Sequence, residues 1–316
     1  MKSGLLAAFA LAATTASPVA PPEHRRGPEQ TFLTVPEWFL VFSPEEYARF
    51  LRDNPPSDFP FFGEIGQFWQ SYRAVTEATA DYPFNAGYHV MVSVIGLSTT
   101  LEYGLKGLYE RLIGHFTELT GGGADTAEDR IATDTAQAYV DFIKHSPWYD
   151  FDFGKPLADL WGKASTTGTN PWRKWERKYG LTSEYAAKSG YAWLIGKATR
   201  ASYERPSLQT HVVLRGERGT RAKMLPRYQP FTDRAIALAR QGGDFVEIAG
   251  NRGDILVSVV APRGAVSDRR ARVLYRQSIL TQPQKERKAL VLRVEELGPF
   301  LRSTPPHTTV EHVYDF

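Results

Sequence analysis

The chain has 316 residues, 42% of them hydrophobic, 13% aromatic and 23% charged, with no cysteine. That length suits two domains, the mean hydropathy of −0.35 excludes a polytopic membrane protein, and the missing thiols exclude disulfides, Cys-ligated zinc and thiol catalysis. The net charge of +3 hides an imbalance: residues 1–204 carry 19 Lys plus Arg against 24 Asp plus Glu, and residues 205–316 carry 19 against 11.

The opening MKSGLLAAFALAATTASPVAPP joins a lone Lys2 to an apolar run from Gly4 to Ala13, then to small and proline-rich residues. This is the layout of a secretory signal. An uncleaved anchor is the other reading, although the 17 residues from Gly4 to Ala20 barely cross about 30 Å of hydrocarbon. Residues 1–30 are therefore expected to be a signal peptide or membrane anchor followed by a short extended tether. Export to a periplasmic or inner-membrane-associated location follows from either form.

A mainly helical domain is expected over residues 31–204. Ser43-Pro44-Glu45-Glu46 carries an N-cap residue, a first-turn proline and a glutamate three residues after the cap, which places a helix start there and its end near Asp53. FFGEIGQFWQSYRAVTEATA forms the next helix, up to Asp81-Tyr82-Pro83. A proline-free helical pattern runs from Gly87 to Leu119 and closes at Gly121-Gly122-Gly123. Thr126 with Asp129 caps another helix that reaches His145, and Asn170-Pro171 and Thr182 open two more, the last ending near Tyr203.

After Arg205-Pro206 the apolar period shortens from about 3.6 to 2. HVVLRGERGTRAKML, DFVEIAG, DILVSVVAP, ARVLYRQSIL, KALVLRVEEL and TVEHVYDF read as strands, with helices at FTDRAIALARQG and near Leu297–Arg302. The fold class is thus α+β, a mainly helical N-terminal domain followed by a basic, ferredoxin-like α+β domain over 205–316. The arginines of that half lie scattered along strands, without a basic helix or an aromatic RNA-binding signature, so nucleic acid is not an expected partner.

The landmarks EQTFLTVPEW, FPFFGEIGQFWQSY, RKWERKYGLTSEY, EIAGNRG and EHVYDF resemble those of a family of uncharacterised bacterial envelope proteins, over nearly all of residues 28–316. The resemblance implies a bacterial envelope setting. The family has no assigned activity, so the resemblance carries no catalytic residue and no cofactor to this chain.

One helix is written twice. TLEYGLKGLYERLIGHFT, from Thr100, returns 82 residues later as TSEYAAKSGYAWLIGKAT, with nine identities in 18 positions. Each copy presents the same stripe at i, i+4, i+7 and i+11: Glu102, Lys106, Tyr109 and Ile113 in the first, Glu184, Lys188, Tyr191 and Ile195 in the second. Three readings stay open. The Glu–Lys pairs sit on a solvated face, or they form a buried structural quartet with Tyr109 and Tyr191 as hydrogen-bond donors, or they centre a functional site.

Metal is the weaker candidate. Asp141 and His145 lie one turn apart beside His89, His115, Asp150 and Asp152, but no Glu-x-x-His or HExxH pair accompanies them. No nucleophile elbow, P-loop or G-x-G-x-x-G turn occurs. All seven tryptophans fall in the helical half, as an aromatic core, as the wall of an apolar ligand cavity, or as a face at the lipid interface. The expected function is an exported, membrane-associated binding or scaffolding protein holding an apolar ligand, a lipid or a partner helix. The alternative is an enzyme that uses the Glu/Lys/Tyr constellation for proton transfer.

Overall fold

The computed structural model describes residues 19–27, 29–121, 126–202, 208–216 and 219–316, the last five before 203 as backbone. The expected signal lies mostly outside the described residues. The tether does not hang free: the Ala20 amide donates to Glu247 Oε1 at 2.7 Å and the Arg26 amide to the Ala249 carbonyl at 2.9 Å.

Ten α-helices and seven strands follow in chain order among the described residues. Helix α1 (Gln30–Leu33) leads into α2 (Val35–Phe50), with Pro36 in its first turn. The expected helix start at Ser43 is wrong, because α2 runs straight through Pro44. Trp38, Phe39, Val41 and Phe42 are all buried, so packing extends the helix upstream, at the cost of the one backbone bond that proline denies to the Leu40 carbonyl. Ser43 is left buried in mid-helix.

Helix α3 (Phe61–Ala78) precedes α4 (Ala86–Tyr109), which Asn85 caps by accepting from the Tyr88 amide at 3.0 Å. A π-helical turn (Glu110–Gly114) joins α4 to α5 (His115–Thr120), and the three make the rod expected over 87–119. The capping box at Thr126 and Asp129 opens α6 (Ala127–Ile143) as its residues indicate. Helices α7 (Gly154–Lys163) and α8 (Pro171–Ser202) complete the half. A separate helix start at Thr182 is a second correction. Its hydroxyl donates to the Lys178 carbonyl at 2.6 Å inside α8, and Gly180, which resembles a break, instead lets Tyr109 approach.

The C-terminal half contains β1 (Gln209–Gly216), β2 (Gly219–Pro226), α9 (Gln229–Arg240), β3 (Asp244–Ile248), β4 (Asp254–Pro262), β5 (Arg272–Ser278), β6 (Lys285–Arg293), α10 (Val294–Ser303) and β7 (Thr309–Val313). All ladders are antiparallel. HVVLRGERGTRAKML is a hairpin, β1 with β2, where the alternation alone suggested one strand. The α+β class holds, but the strands divide into two sheets, β2-β1-β3 and β5-β6-β4-β7, instead of the single sheet of a ferredoxin-like unit.

The four-stranded sheet is covered on both faces. Ile255, Val257, Leu290, Leu292 and Val313 pack with α9, α10 and the smaller sheet, while Leu256, Ala289, Val291 and Tyr314 pack against the N-terminal helices. Burial on both sides is why Ile255–Val257 of β4 and Ala289–Leu292 of β6 are unbroken apolar runs. The second of these cores ties the helical half to the sheet.

Candidate functional site

Helices α4 and α8 lie antiparallel, shown by partners that climb one helix as they descend the other. Glu102 pairs with Lys188 at 2.9 Å, Lys106 with Glu184 at 2.9 Å, Glu110 with Arg177 at 2.7 Å and Glu118 with Arg173 at 3.2 Å. The sequence repeat makes this a local two-fold. Shifting by 82 residues turns Lys106–Glu184 into Lys188–Glu102, so one contact written twice gives both cross-helix pairs. Glu184 also accepts from Lys188 within α8 at 2.9 Å.

The quartet is half-buried and uneven: Lys106 is 15% exposed and Glu184 22%, whereas Glu102 is 45% exposed. Burial pushes the Glu184 carboxyl up, but the two lysines, through charge and hydrogen bonds, outweigh it and hold it well below the ordinary carboxylate range. Burial likewise pulls Lys188 down, and Glu102 and Glu184 reverse this and hold it well above its usual value. Lys106 also stands 4.6 Å from the centre of the Tyr47 ring, a favourable site for a desolvated ammonium.

Beside the quartet is a cavity of about 150 Å³, lined by Tyr47, Phe61, Tyr103, Tyr139, Trp148 and Phe153 among others, with all four charged side chains on its wall. Helices α2, α4, α6 and α8 enclose it. Tyr191 lines it too, stacked on Trp148 at 5.3 Å with its hydroxyl 3.3 Å from Ser98. Tyr109 does not join this group. Its hydroxyl donates to Glu176 Oε1 at 2.5 Å, in a second cluster where Arg173 and Arg177 meet Glu110, Asp129 and Glu176 at the π-helical turn.

The metal candidates do not form a ligand set. His145 Nδ1 faces the Asp141 backbone carbonyl at 2.9 Å, and the Asp141 carboxylate accepts from Gln137. No cluster of three or more His, Asp or Glu suited to a metal occurs among the described residues. His89 bonds Tyr72 at 2.8 Å and stacks on Phe84.

Sequence reasoning misses Ser43, Tyr103 and Glu64. Ser43 and Tyr103 line the cavity with their hydroxyls 3.0 Å apart, and Glu64 of α3 lies behind them, beside Ser43. A signal existed for Glu64. It falls on the stripe Phe61, Phe68, Ser71 and Val75, the buried face of α3.

Comparison of the chain with profiles of known protein families, with curated proteins and with solved structures finds no match.

Proposed function

We propose that the protein is an exported, membrane-associated binding protein of the bacterial envelope, whose helical half holds a small, mostly apolar ligand with one polar end. The observation that carries this is the cavity, whose lining combines many aromatic side chains with the charge quartet, the composition of a small-molecule site. The enzymatic alternative is disfavoured at the quartet itself. General acid–base work near neutral pH needs a group that titrates there, and Glu184 and Lys188 are held away in opposite directions. Native mass spectrometry of the full chain, purified in mild detergent from a bacterial envelope, should show a retained small molecule that denaturation releases. Ala136→Trp, which fills the cavity, should abolish the retention while circular dichroism stays unchanged. A clean apo mass for the unaltered chain counts against the reading.

Membrane association is supported by an unusual surface. Val90, Val94, Leu97, Leu101, Leu105, Leu108, Leu112, Phe116 and Leu119 are all exposed, at spacings of three or four residues along α4 to α5. They make an apolar stripe about 44 Å long at 1.5 Å per residue. Trp172, Trp175 and Trp193 of α8 are exposed as well, and soluble monomers rarely leave such area uncovered. No described helix is long and apolar enough to cross a membrane, so the contact proposed is with the bilayer surface. Arg111 and Lys197 stand over Phe62 and Trp193, each at 5.0 Å, where headgroup phosphates would meet them. The full chain should sediment with phosphatidylglycerol-containing vesicles, and Leu101→Asp with Leu105→Asp should reduce the bound fraction severalfold without shifting the melting temperature. Unchanged sedimentation of that variant would sink the assignment of this face.

A further inference from the structure

Charge counting around Glu64 gives an uneven sum. Arg287 of β6 donates to Glu46 Oε1 of α2 at 2.8 Å and to Glu311 of β7 at 2.5 Å. Glu64, 1% exposed, makes no ion pair among the described residues, and its Oε1 has no hydrogen-bond partner. The other titratable groups nearby are Tyr103 of α4 and Tyr275 of β5, α1 contributes none, and Arg49 of α2, which acts on Glu46 from a distance, is exposed and paired with Glu45. Three carboxyl groups thus share one buried guanidinium. A buried carboxylate without a cation is too costly to keep, so the third holds a proton.

That proton has a route. Ser43 stands beside Glu64 on one side and bonds Tyr103 on the other, at 3.0 Å from the phenol oxygen. Both hydroxyls reach the cavity wall. We propose that Glu64 is a proton-exchanging group of the cavity, loaded and unloaded through the hydroxyls of Tyr103 and Ser43. In loading, a donor in the cavity gives its proton to the Tyr103 oxygen, Tyr103 passes its own to Ser43, and Ser43 passes its own to the Glu64 carboxylate. One O–H bond breaks and one forms at each hydroxyl, and the net change is one proton moved from cavity to carboxyl. Unloading reverses each step.

The energetics suit the role. Burial and the neighbouring Glu46 charge push Glu64 up, against the adjacent Ser43 hydroxyl and Arg287, to about 8. Burial, with the Glu102 charge next, keeps the Tyr103 phenol well above its usual value, so it relays the proton without being left ionised. Glu64 therefore supplies what the quartet lacks, a group able to give and take a proton near neutral pH. The inference goes beyond ligand binding and stands without a retained ligand.

Infrared spectroscopy of the full chain tests it. Because Glu37 is also raised, to about 7, the Glu64 band is read as the difference between the unaltered chain and Glu64→Gln: a C=O stretch of a buried carboxylic acid present at neutral pH that disappears as the pH passes about 8. After a jump to alkaline pH, loss of that band should slow about tenfold or more in Ser43→Ala and in Tyr103→Phe. Ser43→Thr, which keeps a hydroxyl, should restore the rate. A purely structural Ser43 would change stability but leave the decay rate alone. Absence of that difference band at neutral pH, or an unchanged decay rate in both hydroxyl-deleted variants, would overturn the proposal.

Discussion

Glu184→Gln is expected to lower the free energy of unfolding by about 3 kcal/mol, while Glu102→Gln changes it by less than about 1 kcal/mol. The two glutamates are equivalent in the repeat and differ in surroundings. Glu184 accepts from both Lys106 and Lys188. Removing its charge leaves Lys106, 15% exposed, without a carboxylate, because the other partners of that ammonium are the rings of Tyr47 and Phe61. Glu102 is 45% exposed, water screens its bond to Lys188, and Lys188 keeps Glu184 when Glu102 is changed. The sign with pH follows from the lowered Glu184 carboxyl: its contribution is fully present above the ordinary value of 4.5 and fades as the pH falls below it. Denaturant titrations of both variants between neutral and acid pH check this, and the Glu184→Gln/Lys106→Met double variant should recover much of the loss. Equal costs for the two single variants would refute the asymmetry.

Much of the charge quartet is written in the sequence, and for a definite reason. When a helix is repeated and the copies pack antiparallel, any Glu-to-Lys contact between them occurs twice by symmetry, so Glu102, Lys106, Glu184 and Lys188 identify one another before any coordinates are seen. Symmetry says nothing about surroundings, and here Tyr109 departs. It passes Gly180, where a Cβ would stand 2.6 Å from its hydroxyl, and reaches Glu176. Its counterpart Tyr191 meets Ser98, the residue equivalent to Gly180, and stays at the cavity. Ser43 misleads because capping signals are local, whereas the burial of Trp38, Phe39 and Phe42 that prolongs α2 is tertiary. Likewise, a glutamate in the buried stripe of α3 can be found from spacing alone. What cannot be found is that Arg287, more than 220 residues away, is already shared by Glu46 and Glu311.

The shortage of cations at Glu64 leads to the second large effect, with the opposite slope. A carboxyl raised to about 8 from 4.5 keeps its proton in the folded chain over a range where the unfolded chain has released it. Stability is therefore fully present below 4.5 and falls as the pH climbs towards 8. At about 1.36 kcal/mol per unit, the loss is on the order of 5 kcal/mol. Glu64→Gln, which keeps the shape of the protonated acid and cannot ionise, should flatten this part of the profile and be the more stable protein above pH 8. The quantity to measure is the difference between the unfolding free energies of the unaltered chain and the variant as a function of pH, since groups common to both cancel. A difference that stays constant from 4.5 to 8 would show that Glu64 is ionised throughout and that a cation has been missed. Glu184 lines the cavity and Glu64 lies behind its Ser43–Tyr103 wall, and their pH slopes differ in sign because two lysines serve the first and a shared arginine serves the second. The local ratio of cations to carboxylates, more than depth of burial, thus decides which glutamate of this domain is a fixed charge and which is a proton carrier.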